Sequence, residues 1–121
     1  MPEKVMVNLA TGMEDAERVM IAFLVAGAAL DKGRPVAMFL TKDAVHLAVP
    51  GTAQGEACEG CPPLERLFEQ FGAGGGELLV CPICVTSRGL DPETFVANAT
   101  VAGATPMWEW IGDGHATVFS Y

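Results

Sequence analysis

The sequence predicts an α/β protein: a three-layer α/β/α sandwich built on a mostly parallel, five-stranded sheet. Two observations carry this. Short apolar runs of strand length, such as Val5–Leu9, Val36–Leu40 and Leu78–Val80, alternate with segments of helical periodicity. The chain has 121 residues, enough for one core but not two, so these elements share a single domain spanning residues 1–121.

Lys4–Ala10, with Val5, Met6, Val7 and Leu9, is the first strand. Thr11-Gly12 turns the chain. Glu14, Asp15 and Glu17 then open a helix with charge of the sign its positive end favours. That helix extends to about Asp31, with Val19, Met20, Phe23, Leu24, Gly27 and Leu30 expected on its core face, and Lys32-Gly33 closes it. Pro35–Thr41 is the second strand, and the βαβ unit so formed implies a right-handed parallel crossover. Lys42–Val49 is a short helical turn. Pro50–Pro63 is a loop rich in Gly, Pro and Cys, of a length often tied to function.

Leu64–Phe71 is amphipathic through Leu64, Leu67, Phe68 and Phe71, and Gly72–Gly76 ends it. Glu77–Val80 forms the third strand and Pro82–Arg88 a helical turn stopped by Gly89. Asp91-Pro92-Glu93 has the N-cap chemistry of another short helix. Val96–Val101 is the fourth strand, Pro106–Ile111 a helix, and Ala116–Tyr121 the last strand.

Half the residues are hydrophobic and the mean hydropathy is +0.33, as in a chain with a packed core. The net charge of −8 leaves no basic patch to meet phosphates, which argues against a nucleic-acid or anionic-membrane partner. The longest apolar stretch, Val19–Leu30, is far short of the ~20 residues of a spanning helix. The N-terminal residues lack the basic and apolar regions of a signal peptide, and a cytoplasmic protein is expected. In that compartment cysteines are metal ligands or redox groups more often than structural staples.

The chemistry-bearing stretch is Leu78–Asp91. Its apolar run ends on Cys81 and Pro82, and proline suits the first turn of a helix while it cannot continue a ladder. Cys81 is therefore expected where a strand stops and a helix starts, at the carboxyl edge of the sheet, where reactive groups of α/β proteins collect. Helix-start amides favour a thiolate there, and Arg88 lies within two turns.

Cys58-Glu-Gly-Cys61 and Cys81-Pro-Ile-Cys84 are two C-x-x-C pairs with nineteen residues between them. The topology brings both toward one sheet edge, and three readings stand. All four thiolates, Cys58, Cys61, Cys81 and Cys84, could hold a structural Zn²⁺, since the spacing is that of a zinc ribbon. Against this, Cys61 is followed by Pro62-Pro63 rather than glycine, and the connecting segment is a helix and a buried strand. Alternatively, Cys81 is a low-pKa nucleophile or sulfur carrier, with Cys84 as resolving partner or the Cys58/Cys61 pair discharging or protecting the sulfur, and needs no cofactor. In the third, the cysteines are small buried hydrophobes.

Other candidates carry less. His46 and His115 lack ligand spacing and are expected at the surface or at an edge. Arg88 either supports the Cys81 thiolate, or binds an anionic donor, or is a solvated charge at a helix end. The Thr11-Gly12 turn offers amides to an anion but lacks any nucleotide-binding glycine pattern. Gly74-Gly75-Gly76 precedes a strand and is no phosphate cradle. Trp108 and Trp110 face different ways, one to the core and one outward, where it suits a subunit interface. Met13 and Met20 are expected in the core.

Val-Cys-Pro-Ile-Cys-Val-Thr-Ser-Arg-Gly-Leu, from Val80 to Leu90, resembles the cysteine segment of the DsrE/DsrF-like proteins. Thr11–Arg18 resembles that family's first loop and helix start, and Gly33–Thr41 its second strand. Cys61–Leu67 and Gly74–Gly76 resemble the helix and turn before the cysteine strand. The likeness covers most of the chain to about Asp91. It implies a flavodoxin-like protomer, a homotrimer or hexamer, and a place in sulfur relay with a donor or acceptor protein. By match, the sulfur-accepting cysteine falls on Cys81. Cys58-Glu-Gly-Cys61 departs from the general family pattern.

Overall fold

The computed structural model describes residues 2–121. Five strands, β1 (Lys4–Leu9), β2 (Val36–Leu40), β3 (Glu77–Val80), β4 (Ala99–Val101) and β5 (Ala116–Ser120), form one sheet in the order β4-β3-β2-β1-β5. Every pairing is parallel: Val7 lies beside Met38 and Phe119, Met38 beside Leu78, and Leu79 beside Thr100. Parallel strands need long crossovers. Here they are supplied by α1 (Ala16–Asp31), α2 (Leu64–Ala73), α3 (Pro82–Ser87) and α4 (Ala104–Ile111).

The strand sequences are nearly continuous apolar runs because both faces are covered. Val5, Val7, Leu9, Val36, Met38, Leu40, Leu78 and Val80 point to the α1/α2 side and form the main core with Val19, Phe23 and Phe71. Phe71 meets Phe23 edge-on, at 5.6 Å between ring centroids and 88° between planes. The alternate residues Met6, Ala37 and Leu79 face the other way and pack with Ala102, Met107, Trp110 and Ile111. The chain thus steps from β1 to β4 and returns through α4 on the opposite face, adding β5 beside β1.

The expected elements are present with shifted ends. Met13–Asp15 is a 3-10 turn, and α1 begins only at Ala16, its amide ladder capped by Asp15, whose carboxylate accepts from Arg18 N. The buried stripe of α1 is Val19, Ala22, Phe23 and Ala26. Leu24 is 43% exposed and Met13 37%, so neither belongs to the core as expected. Small residues at 22 and 26 let the helix lie close to the sheet, which rotates Leu24 outward. Lys42–Ala48 is a 3-10 segment with Ala44, Val45, Leu47 and Ala48 buried. The fourth strand is only Ala99–Val101, and the Asn98 side chain before it donates to Gly76 O at 3.0 Å. Trp110 packs on the second core while Trp108 is 66% exposed, the division the spacing predicted. His46 is half-buried and His115 exposed. No helix among the described residues is long and apolar enough to cross a membrane.

Candidate functional site

Cys81 stands one residue beyond β3, and its N–H still bonds to Leu40 O across the sheet at 3.0 Å. Its own carbonyl opens α3, accepting from Val85 N at 3.0 Å, and Pro82 occupies the first helical position. Strand end and helix start therefore meet at one residue. The backbone must turn there, which lifts the side chain out of the sheet to a half-exposed position.

One turn on, Cys84 is also half-exposed, and both thiols are free. Burial alone would push the Cys81 thiol pKa up. That effect is outweighed by hydrogen bonds from the Cys84 N–H, the Cys84 thiol and the Ile83 N–H, and by the charge of Arg88. The net result is a thiol held below its ordinary value. The Cys84 sulfur in turn accepts from Lys42 N–H at 3.2 Å. This bond ties the backbone after β2 to the helix that Cys81 begins.

Lys42 is the one non-glycine residue among those described with positive φ, at 51°. This left-handed conformation costs a lysine roughly 1–2 kcal/mol and aims its amide across to α3. Asp43 completes the link. Arg88 Nε donates to Asp43 Oδ1 at 3.0 Å, Nη2 lies at the same distance, and Nη1 reaches the Cys84 carbonyl at 3.4 Å. The Arg88 side chain is 26% exposed, so it is a positioned charge rather than a solvated one. Gly12 presses on this assembly from the end of β1: a Cβ there would stand 2.5 Å from Asp43 O.

The site thus joins three strand ends: Gly12 after β1, Lys42 and Asp43 after β2, and Cys81 after β3. Sequence reasoning found Cys81, Cys84 and Arg88 but missed Lys42 and Asp43. The positive φ of Lys42 leaves no mark on residue type, and its partner is 42 residues away. The anion site expected at Thr11-Gly12 is already filled by the chain itself, since Gly12 N–H donates to Glu14 Oε1 at 2.6 Å. A neighbouring cleft of ≈ 400 Å³ is lined by Met13, Glu14, Asp43, His46 and Thr52.

The four cysteines do not converge. Cys58 bonds to Cys61, with Cα atoms 5.2 Å apart, while Cys81 and Cys84 remain thiols. Among the described residues no group of three or more His, Cys, Asp or Glu side chains is gathered as a metal would require. The tetrathiolate set that the spacing allowed as one reading is therefore not assembled. The reason is geometric: Cys61 precedes two prolines on a loop outside the core, whereas Cys81 and Cys84 pack against it.

The family model of the DsrE/DsrF-like family matches residues 3–119. The chain belongs to the DsrE/DsrF-like family. No curated protein matches it. Among solved structures, the YchN protein from E.coli superposes with a TM-score of 0.76 at 17% identity, covering 98% of this chain and 99% of that one. BT1422 from Bacteroides thetaiotaomicron, a conserved protein of unknown function, gives 0.68 at 16% identity over 98% and 95%. At such identities these likenesses establish the DsrE/DsrF-like fold: a five-stranded parallel sheet with helices on both sides.

Proposed function

We propose that this DsrE/DsrF-like protein carries sulfur in a relay, with Cys81 as the persulfide-forming residue and Cys84 as its resolving partner. The observation that carries this reading is the free, half-exposed Cys81 thiol at a strand-to-helix junction, with the free Cys84 thiol within the first turn of the helix it begins. Membership of a family tied to sulfur relay supports it.

The Cys81 thiolate attacks the outer sulfur of a persulfide or thiosulfate donor. The donor's S–S bond breaks, its thiolate or sulfite leaves with the bonding pair, and Cys81 holds –S–S⁻. An acceptor thiolate then takes the outer sulfur and Cys81 departs as thiolate. In the absence of an acceptor, Cys84 attacks the Cys81 sulfur, forming a Cys81–Cys84 disulfide and releasing hydrosulfide. The Lys42 amide and Arg88 hold Cys84 and the surrounding charge in place.

Mass spectrometry after thiosulfate or polysulfide loading tests this. One added sulfur, lost in Cys81→Ser and longer-lived in Cys84→Ser, is the expected result. A Cys81→Ser variant that accepts as much sulfur as the parent refutes the role. The family also makes a homotrimer or hexamer the expected assembly. The exposed apolar side chains Ile21, Leu24, Trp108 and Val118 supply surface for it.

A further inference from the structure

The second cysteine pair has no place in the sulfur-carrier step, yet its setting is unlike that of a structural staple. Cys58 and Cys61 are separated by three positions, and entropic stabilisation by a disulfide grows with the logarithm of the loop it closes. This bond closes one of the smallest loops a chain can make and so restrains the unfolded state least. The turn also has bonds of its own beside it. Cys61 N–H bonds to Cys58 O at 3.1 Å, and Gly60 supplies a φ of +81° that side chains rarely adopt. The base of the excursion is closed by backbone pairing of Glu56 with Pro63 and by Leu64 N to Gly55 O at 2.8 Å.

Both sulfurs belong to half-exposed residues, and neither packs on either core cluster, in contrast to Cys81 and Cys84. An attacking thiol can therefore reach the bond without the fold opening. The charge around it is one-sided. Glu56 and Glu59 flank the pair, both exposed, and no lysine or arginine occurs between Lys42 and Arg66. A carboxylate repels anionic thiols and attracts cationic ones, by about threefold in rate per unit charge at a separation of roughly 7 Å in water.

We propose that Cys58–Cys61 is a second redox centre of this chain, a thiol–disulfide exchange site for a dithiol reductant whose attacking thiol is set among positive charges. The partner's thiolate attacks one sulfur of the pair. The Cys58–Cys61 bond breaks, and the other cysteine leaves as thiolate and takes a proton. The partner's second thiol then attacks the mixed disulfide, leaving the partner oxidised and both cysteines reduced. Two electrons and two protons pass in total, and the reaction is reversible. This inference does not depend on the sulfur-carrier role of Cys81.

The test uses the full chain carrying Cys81→Ser and Cys84→Ser, so that any thiol signal comes from the second pair. In dithiothreitol redox buffers, alkylation and mass spectrometry are expected to give two tags or none, with the native fold retained and Tm lowered by less than about 10 °C on reduction. At low salt, cysteamine should reduce the pair several-fold faster than glutathione per thiolate. That gap should close in 0.5 M salt and in Glu56→Gln/Glu59→Gln. With Cys58→Ser added, the lone Cys61 thiolate should attack the probe's disulfide, cystamine, and be trapped as a mixed disulfide as one cysteamine leaves. Reduction that occurs only after unfolding, or that itself unfolds the chain, would mark a structural staple and overturn the proposal. Equal rates for the two thiols would overturn the assigned partner chemistry.

Discussion

Gly12→Ala probes the joint that holds the cysteine site together. Gly12 has a negative φ of −104°, so no left-handed backbone calls for glycine here. What it provides is space: an added Cβ would stand 2.5 Å from Asp43 O and 2.8 Å from Asp43 C. Both are backbone atoms, so no side chain can swing aside. The start of the Lys42–Ala48 segment must retreat by roughly 0.5 Å or more to relieve the overlap, and Ala44, Val45, Leu47 and Ala48 behind it are fully buried. Overpacking of this kind costs about 1–3 kcal/mol. For a chain of 121 residues, with ~2.1 cal/mol/K of unfolding entropy per residue, that lowers Tm by about 4–12 °C.

The same retreat disturbs the Lys42 N–H to Cys84 Sγ bond, now 3.2 Å, and the Asp43 partner of Arg88. Thermal unfolding gives the first effect, and pH-dependent alkylation of Cys81 and Cys84 the second. Gly27→Ala is the control of opposite sign. Its Cβ would meet nothing within 4 Å in the middle of α1, so it should stabilise by about 0.5–1 kcal/mol. If Gly12→Ala melts within 1 °C of the parent, the steric account of this joint is wrong.

Four further outcomes are expected. Arg88→Gln should raise the midpoint of Cys81 alkylation toward the ordinary thiol value of ~8.5, in part only because the hydrogen bonds of Cys84 and Ile83 remain. Asp43→Asn, which frees Arg88 of its counter-charge, should not raise it. Since the folded thiol lies below its unfolded value, Cys81 contributes stability above the unfolded pKa and loses it as pH falls through the folded one. The stability difference between the parent and Cys81→Ser should shrink in that direction in denaturant titrations at several pH values. Trp110→Phe should cost about 1 kcal/mol in the same titrations, because it deletes the 2.7 Å bond from the indole N–H to Glu77 Oε2 that ties α4 to β3. No loss would show that solvent replaces that bond fully.

Local signals made the elements and the principal cysteine legible in the chain itself. Strand-length apolar runs, the Pro82 that ends one of them, and acidic residues before α1 act within a few residues of where they occur. They sufficed to put Cys81 at a strand-to-helix junction. The order β4-β3-β2-β1-β5, with α4 alone on its face, was not readable, because the pairing of β5 with β1 joins opposite ends of the chain. Tertiary structure likewise decided which sulfurs meet. Spacing allowed four thiolates around one metal, but Cys58–Cys61 closes on itself outside the core, and Cys84 takes its hydrogen bond from Lys42. Residue type sets what a side chain can do, and the spacing of distant backbones sets which partner it does it with. Only the packed sheet fixes that second quantity.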